Sequence, residues 1–251
     1  MKISVLYTTR KRSNEVIYSL ASLINNADDN KNVEYIFTLD PDDNETKEAL
    51  EKVYLMCYAQ DAELKCFVMD KRYGYAELEQ YQNKAGELFT GECLFILNDD
   101  LVCVERGWDT KMREALKPKQ DFPAWIGVTP INEWWKGTYT FPGINRKWYE
   151  IVNRVSGSRA TDGYLKGIGE LLGITPITPD IKFLHLQRGK GEMEYDKTRT
   201  KIIYGLPDDG AGGYPTKKGI PAKYMWTTGV GKQRFEEDVN KLKKWMEANN
   251  G

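Results

Sequence analysis

LFILNDDLV, residues Leu94 to Val102, is the stretch on which the fold turns. Four apolar side chains run without a break into Asn98, Asp99 and Asp100, and the chain is apolar again at Leu101 and Val102. A short apolar run bounded by turn residues reads as a strand buried on both faces, predicted here over Cys93 to Leu97. Two adjacent carboxylates at the end of such a strand carry a desolvation cost and repel each other unless a cation offsets them. The stretch therefore reads as a core strand delivering charge to one edge of a sheet, with a solvated turn as the plainer alternative.

The residues before it repeat one rhythm. ISVLY (Ile3 to Tyr7) is a strand, and Ser13 to Asn26 follows with Val16, Ile17, Leu20, Leu23 and Ile24 on one helical face. VEYIFTL (Val33 to Leu39) is a second strand, joined by an Asp/Asn/Pro turn to a helix from Asn44 to Met56. LKCFVM (Leu64 to Met69) and a helix from Ala76 to Phe89 complete the series. Strands alternating with helices predict right-handed βαβ units and a parallel sheet covered on both faces.

Beyond residue 105 the rhythm breaks. The pattern predicts helices over Trp108 to Leu116, Trp148 to Val155 and Thr161 to Leu172, and strands over Ala124 to Val128 and Ile181 to Leu186. NEWWKGTYTF is expected to form an aromatic hairpin, and Gln187 to Thr228, centred on PDDGAGGYP, a long loop or lid. Gln233 to Asn249 reads as an amphipathic helix with Phe235, Val239, Leu242 and Trp245 on one face. Residues 1–105 and 106–251 are expected to be two halves of a single compact domain.

Composition excludes several classes of function. With 36 Lys+Arg against 37 Asp+Glu in 251 residues, the chain has no electrostatic footprint for nucleic acid. No apolar run approaches the roughly 20 residues of a membrane span, and Met1-Lys2 leads into ISVLY without an apolar signal region. No membrane span and a cytoplasmic location are the expectations. The four cysteines form no CxxC pair and read as small core residues.

Ligands of open α/β sheets bind at the carboxyl ends of the strands. After the first strand comes TTRKR (Thr8 to Arg12), hydroxyls and cations opening onto a helix N-terminus, which suits a phosphate. Asp40 follows the second strand, Asp70-Lys71-Arg72 the third and Asn98-Asp99-Asp100 the fourth. A solvated turn and an N-cap are the structural alternatives for the first two. His185, the single histidine, lies inside the apolar IKFLHL and reads either as a core residue or as a ligand. Carboxylate oxygens with one imidazole suit Mn2+, with Mg2+ next.

Taken in order, these features resemble the nucleotide-sugar-dependent glycosyltransferases of the GT-A fold, in the pattern of the inverting family 2. The resemblance rests on ISVLYTTR, on TLDPDDNET, on YQNKAGELFTGECLFILNDD with its DxD-like end, on SRATDGYLKGIG and on FLHLQRGK. Asn98 stands where the family's first aspartate does. The resemblance implies an α/β, Rossmann-like and mostly parallel central sheet flanked by helices, with a C-terminal acceptor and lid region. It further implies transfer of a sugar from a nucleotide-diphosphate sugar, a UDP-sugar being the first candidate, to a hydroxyl of a glycan or other acceptor.

Carried onto this sequence, Thr8, Thr9 and Arg10 would line the nucleotide pocket, with Asp40 at its base and Asn83 near the nucleotide. Asn98 and Asp99 would face the ribose and the donor sugar, and Asp100 and His185 would hold Mn2+ or Mg2+. Arg188, Lys190 and Arg199 of the lid would reach phosphate, and Asp162 would be the base, which predicts inversion. Trp134 and Trp135 would stack on the acceptor sugar. A helix first turn equally favours a carboxylate at Asp162, and the tryptophans also suit a core. Two other readings compete: a sugar nucleotidyltransferase, usually marked by a Gly-rich phosphate loop that TTRKRSN lacks, and a non-catalytic nucleotide- or carbohydrate-binding module.

Overall fold

A computed structural model describes residues 1–132, 139–186 and 229–249. The predicted alternation is present in the first half as β1 (Ile3–Thr8), α1 (Ser13–Asn26), β2 (Val33–Leu39), α2 (Asn44–Ala59), β3 (Glu63–Val68), α3 (Leu78–Leu88) and β4 (Cys93–Leu97). Then come β5 (Leu101–Cys103), α4 (Trp108–Leu116), β6 (Trp125–Val128), β7 (Phe141–Asn145), α5 (Arg146–Val152), α6 (Thr161–Leu172), β8 (Phe183–His185) and α7 (Gly229–Asn249).

Six strands form one sheet in the order β3-β2-β1-β4-β7-β6. The first four are parallel, while β7 runs antiparallel to β4 and β6 antiparallel to β7. The expected parallel sheet is thus a mixed, mostly parallel one. β7 escapes the sequence pattern because FPGIN looks like a turn: Pro142 supplies no N–H to a ladder, and Gly143 no side chain. The strand tolerates both. Pro142 lies beyond the stretch paired to β4, and a Cβ at Gly143 would stand 2.7 Å from the Leu94 carbonyl oxygen.

Period-two alternation divides the buried strands between two cores. Ile3, Val5, Tyr7, Val33, Tyr35 and Phe37 face α1 and α2, with the Tyr7 and Phe37 rings stacked 4.9 Å apart across the β1–β2 register. Leu6, Ile36, Leu94 and Ile96 face the other way, towards Ala85 of α3, Trp148 of α5, Leu165 and Ile168 of α6, and Leu242 of α7. Cys57, Cys93 and Cys103 are core residues as expected, whereas Cys66 on the edge strand β3 is exposed. The residues of the expected aromatic hairpin between 133 and 138, and those of the lid from 187 to 228, lie outside the described residues. Among the described residues no helix is long and apolar enough to cross a membrane.

The second face also carries a charge at its amino-terminal edge. Glu34 is fully buried and accepts hydrogen bonds from Ser4 Oγ, from Thr90 through N–H and hydroxyl, and from Lys65 Nζ at 2.6 Å, with Lys2 Nζ 3.1 Å away. Burial by itself would raise its carboxyl pKa, but the donors outweigh it and hold the value at about 2. Because that lies below the ordinary 4.5, Glu34 stabilises the fold fully above pH 4.5, and the contribution disappears as pH falls towards 2. Glu34→Gln is expected to cost roughly 3 kcal/mol at pH 7. In urea titrations the gap to wild type should close on acidification to pH 2.5, and a gap that stays constant would disprove the assignment.

Candidate functional site

The polar ends of β1, β2 and β4 meet at the carboxyl edge of the sheet. After β1, residues 9–12 turn back towards α1, and their side chains reach the end of β4. Thr9 Oγ1 donates to Asp99 Oδ2 at 2.6 Å, and Arg12 Nη1 donates to Asp99 Oδ1 at 2.5 Å. Arg12 Nη2 stands 3.5 Å from Asp100 Oδ2, so one guanidinium bridges the two carboxylates of the opening motif. Asp99 is buried, and that burial raises its carboxyl pKa to about 6 despite the pull of Arg12 and Thr9.

A second sheet fixes the partner of Asp100. β5 and β8 pair antiparallel with Leu101 opposite His185, and Leu186 N–H donates to the Asp100 carbonyl at 2.8 Å. Asn132 locks the His185 backbone from the other side, accepting from its N–H at 2.9 Å and donating to its carbonyl at 2.8 Å. The imidazole and the Phe141 ring pack edge to face, with centroids 5.3 Å apart. This frame puts His185 Nε2 3.2 Å from Asp100 Oδ1, a buried oxygen without a well-aligned hydrogen bond. Burial raises the Asp100 pKa, but His185 and Arg12 outweigh it, so the group stays ionised below the usual carboxylate range.

These atoms fit a divalent cation. Two neighbouring ligands of an octahedral ion at about 2.1 Å lie about 3.0 Å apart, close to the separation seen here. Carboxylate and imidazole are also the donor types that Mn2+ accepts. Among the described residues no group of three His, Cys, Asp or Glu side chains converges, so further ligands would come from a bound substrate and water.

At the end of β2 lies a second cluster, around the buried Asp40. Arg10 Nη1 donates to Asp40 Oδ2 at 2.7 Å, and the same guanidinium grips Asp42 through both terminal nitrogens at 2.7 and 2.8 Å. Tyr81 on α3 donates its hydroxyl to Asp40 Oδ1, and that hydroxyl accepts from the N–H groups of Tyr73 and Gly74. Arg72 Nε lies 3.9 Å from Asp40 Oδ2. Arg10 holds Asp42 well below the usual carboxylate range, and its own pKa is raised in return. Asp43 caps α2 by accepting from Thr46 N–H, and also accepts from Lys11 N–H at 3.0 Å, tying the loop after β1 to the start of α2.

The remaining expected residues are dispersed. Thr8 ends β1 half-buried, and Asn98 is exposed at the turn. Asn83 turns its amide to the chain after α5, accepting from Val155 and Ser156 N–H at 2.8 and 3.1 Å and donating to the Ser156 carbonyl at 2.9 Å. One residue before it, Gln82 accepts from Thr161, which holds the start of α6 against α3. Asp162 follows in the first turn of α6, with open surface. Protein walls it closely enough for burial to raise its carboxyl pKa, against the pull of Gly163 N–H and Lys166. Trp134, Trp135, Arg188, Lys190 and Arg199 lie outside the described residues.

Arg12, Tyr81 and Asn132 were not among the expected site residues. TTRKR contained a signal for the first. Nothing local marks the other two, whose partners are 41 and 53 residues away in sequence.

No family model matches the chain, and no curated protein does. Solved structures do. The mannosyltransferase PcManGT from Pyrobaculum calidifontis, in complex with GDP-Man and Mn2+, aligns with a TM-score of 0.56 at 15% identity, over 99% of this chain and 75% of its own. S. aureus TarS 1-349 aligns with a TM-score of 0.56 at 14% identity, over 99% and 74%. Glucosyl-3-phosphoglycerate synthase from Mycobacterium tuberculosis, in complex with Mg2+ and UDP, gives 0.50 at 9% identity, over 82% and 75%. Against another S. aureus TarS chain the match covers 53% of this chain and only 22% of that one, with a TM-score of 0.42 at 19% identity. Likeness at these identities is likeness of fold, and the chain has the GT-A-like α/β fold, a mixed and mostly parallel six-stranded sheet flanked by helices.

Proposed function

We propose that the protein is a metal-dependent glycosyltransferase that transfers a sugar from a nucleoside-diphosphate sugar to an acceptor hydroxyl with inversion. The observation that carries this reading is the Asp100–His185 pair. A carboxylate and the chain's single histidine, far apart in sequence, come within 3.2 Å at the carboxyl edge of the sheet. Beside them are the Arg12 guanidinium and the N-terminus of α1, both suited to a phosphate.

In this reading residues 1–105 bind the donor and residues 106–251 the acceptor. Asp40, Arg10 and Tyr81 form the floor of the nucleotide pocket, and Thr9 holds Asp99 in place beside the sugar. Asp100 and His185 hold Mn2+ or Mg2+, which when bound neutralises charge on the departing diphosphate. Asp162 takes the acceptor proton. Its raised pKa makes it a stronger base than a solvated aspartate, and its open surface leaves room for an acceptor. The segment from 187 to 228 closes over the donor, with Arg188, Lys190 and Arg199 towards phosphate. Trp134 and Trp135 stack on the acceptor. A UDP-sugar is the first donor to test, and a glycan hydroxyl the first acceptor.

Three outcomes check the reading. Incubation with a panel of nucleotide sugars and Mn2+ should give donor hydrolysis that EDTA abolishes; a panel without turnover or binding would sink it. Asp100→Ala should remove Mn2+-dependent nucleotide binding by calorimetry while leaving the thermal unfolding temperature near wild type. Asp162→Asn should keep donor binding and lower transfer by about 100- to 10,000-fold. Because a base acts deprotonated, wild-type kcat/KM should rise with pH along a limb above the ordinary aspartate value of 3.8. Full transfer by the Asn variant would remove Asp162 from the mechanism.

A further inference from the structure

Among the described residues the Arg12 guanidinium bridges both carboxylates of the β4 turn. It donates to Asp99 at 2.5 Å and stands 3.5 Å from Asp100, whose other oxygen faces His185. It is also tethered, for Arg12 is the N-cap residue of α1 and Asp99 is itself held by Thr9. We infer that Arg12 is a built-in counter-cation, which weakens divalent-cation binding at Asp100 and His185 until a nucleoside diphosphate supplies the missing negative charge.

The inference rests on the glycosyltransferase reading for the identity of the ligands. Its physics is local. With Arg12 present, the carboxylate pair offers a divalent ion one net negative charge rather than two, and the guanidinium repels the ion at short range. A diphosphate reverses that balance because it attracts both cations. By linkage, the cation must then strengthen diphosphate binding by the same factor as the diphosphate strengthens cation binding. Asp99 acquires a role distinct from ligation: it positions Arg12. The adjacent carboxylates therefore serve two different cations.

The test is Mn2+ binding followed by electron paramagnetic resonance, with and without UDP or GDP, on the full chain. Wild type should bind Mn2+ weakly alone and more tightly with one of the two diphosphates. Arg12→Gln, which keeps donors for Asp99 but loses the charge, should bind Mn2+ alone about tenfold more tightly and lose most of the enhancement. Arg12→Lys should stay close to wild type. Equal Mn2+ affinity in wild type and Arg12→Gln would overturn the inference, as would tightening in Arg12→Lys equal to that in Arg12→Gln. If Asp100→Ala binds Mn2+ as well as wild type, or no variant binds it under any condition, the metal assignment itself falls, and the inference with it.

Discussion

Burial of the central strands on both faces is the constraint from which the rest follows. β1, β2 and β4 have helices on either side, so most of their side chains must be apolar and their backbone amides must pair with neighbouring strands. Charge has few places to go. It gathers at the two edges, where strands give way to loops, and the edges use it differently. At the amino edge Glu34 is surrounded by donors and becomes a fixed, strongly acidic anchor. At the carboxyl edge Asp99 has fewer donors and a raised pKa, and Asp100 turns to His185, 3.2 Å away, a buried oxygen without a well-aligned hydrogen bond. A saturated network adds rigidity, whereas an undersaturated one retains capacity for a ligand.

Much of the fold was legible because burial writes a pattern into sequence. The spans of α1, β2, β4, α4 and α6 agree with the hydrophobic periodicity of the sequence, since each is apolar on the face or faces it buries. Two strands were not legible. FPGIN carries no strand pattern because of its Pro and Gly, and only its position between β4 and β6 explains why both are tolerated. LVC is too short to carry periodicity, and becomes a strand because FLH lies beside it.

The site divides in the same way. Strand ends were visible, and with them Thr9, Arg10, Asp40, Asp99 and Asp100. The contacts between them were not, because they depend on which loop reaches which strand. Arg10 and Arg12 are two residues apart, yet one lies on the β2 carboxylates and the other on those of β4. Asn83 illustrates the opposite case: the resemblance implies a place near the nucleotide, while its amide accepts from two N–H groups and donates to the Ser156 carbonyl in holding the chain that leads into α6.

The β5–β8 ladder has a further consequence. It is only three residues long and separate from the main sheet, yet it joins the turn after β4 to the chain just ahead of residue 187. In polymer terms Asp100 and His185 are the ends of a long loop, and a bond between them through a shared ion would act as a removable cross-link. Such a link restricts the unfolded chain more as the loop it closes grows longer. The loop so closed contains α4, β6, β7, α5 and α6, so occupancy of this corner would be felt as stability by the second half of the fold.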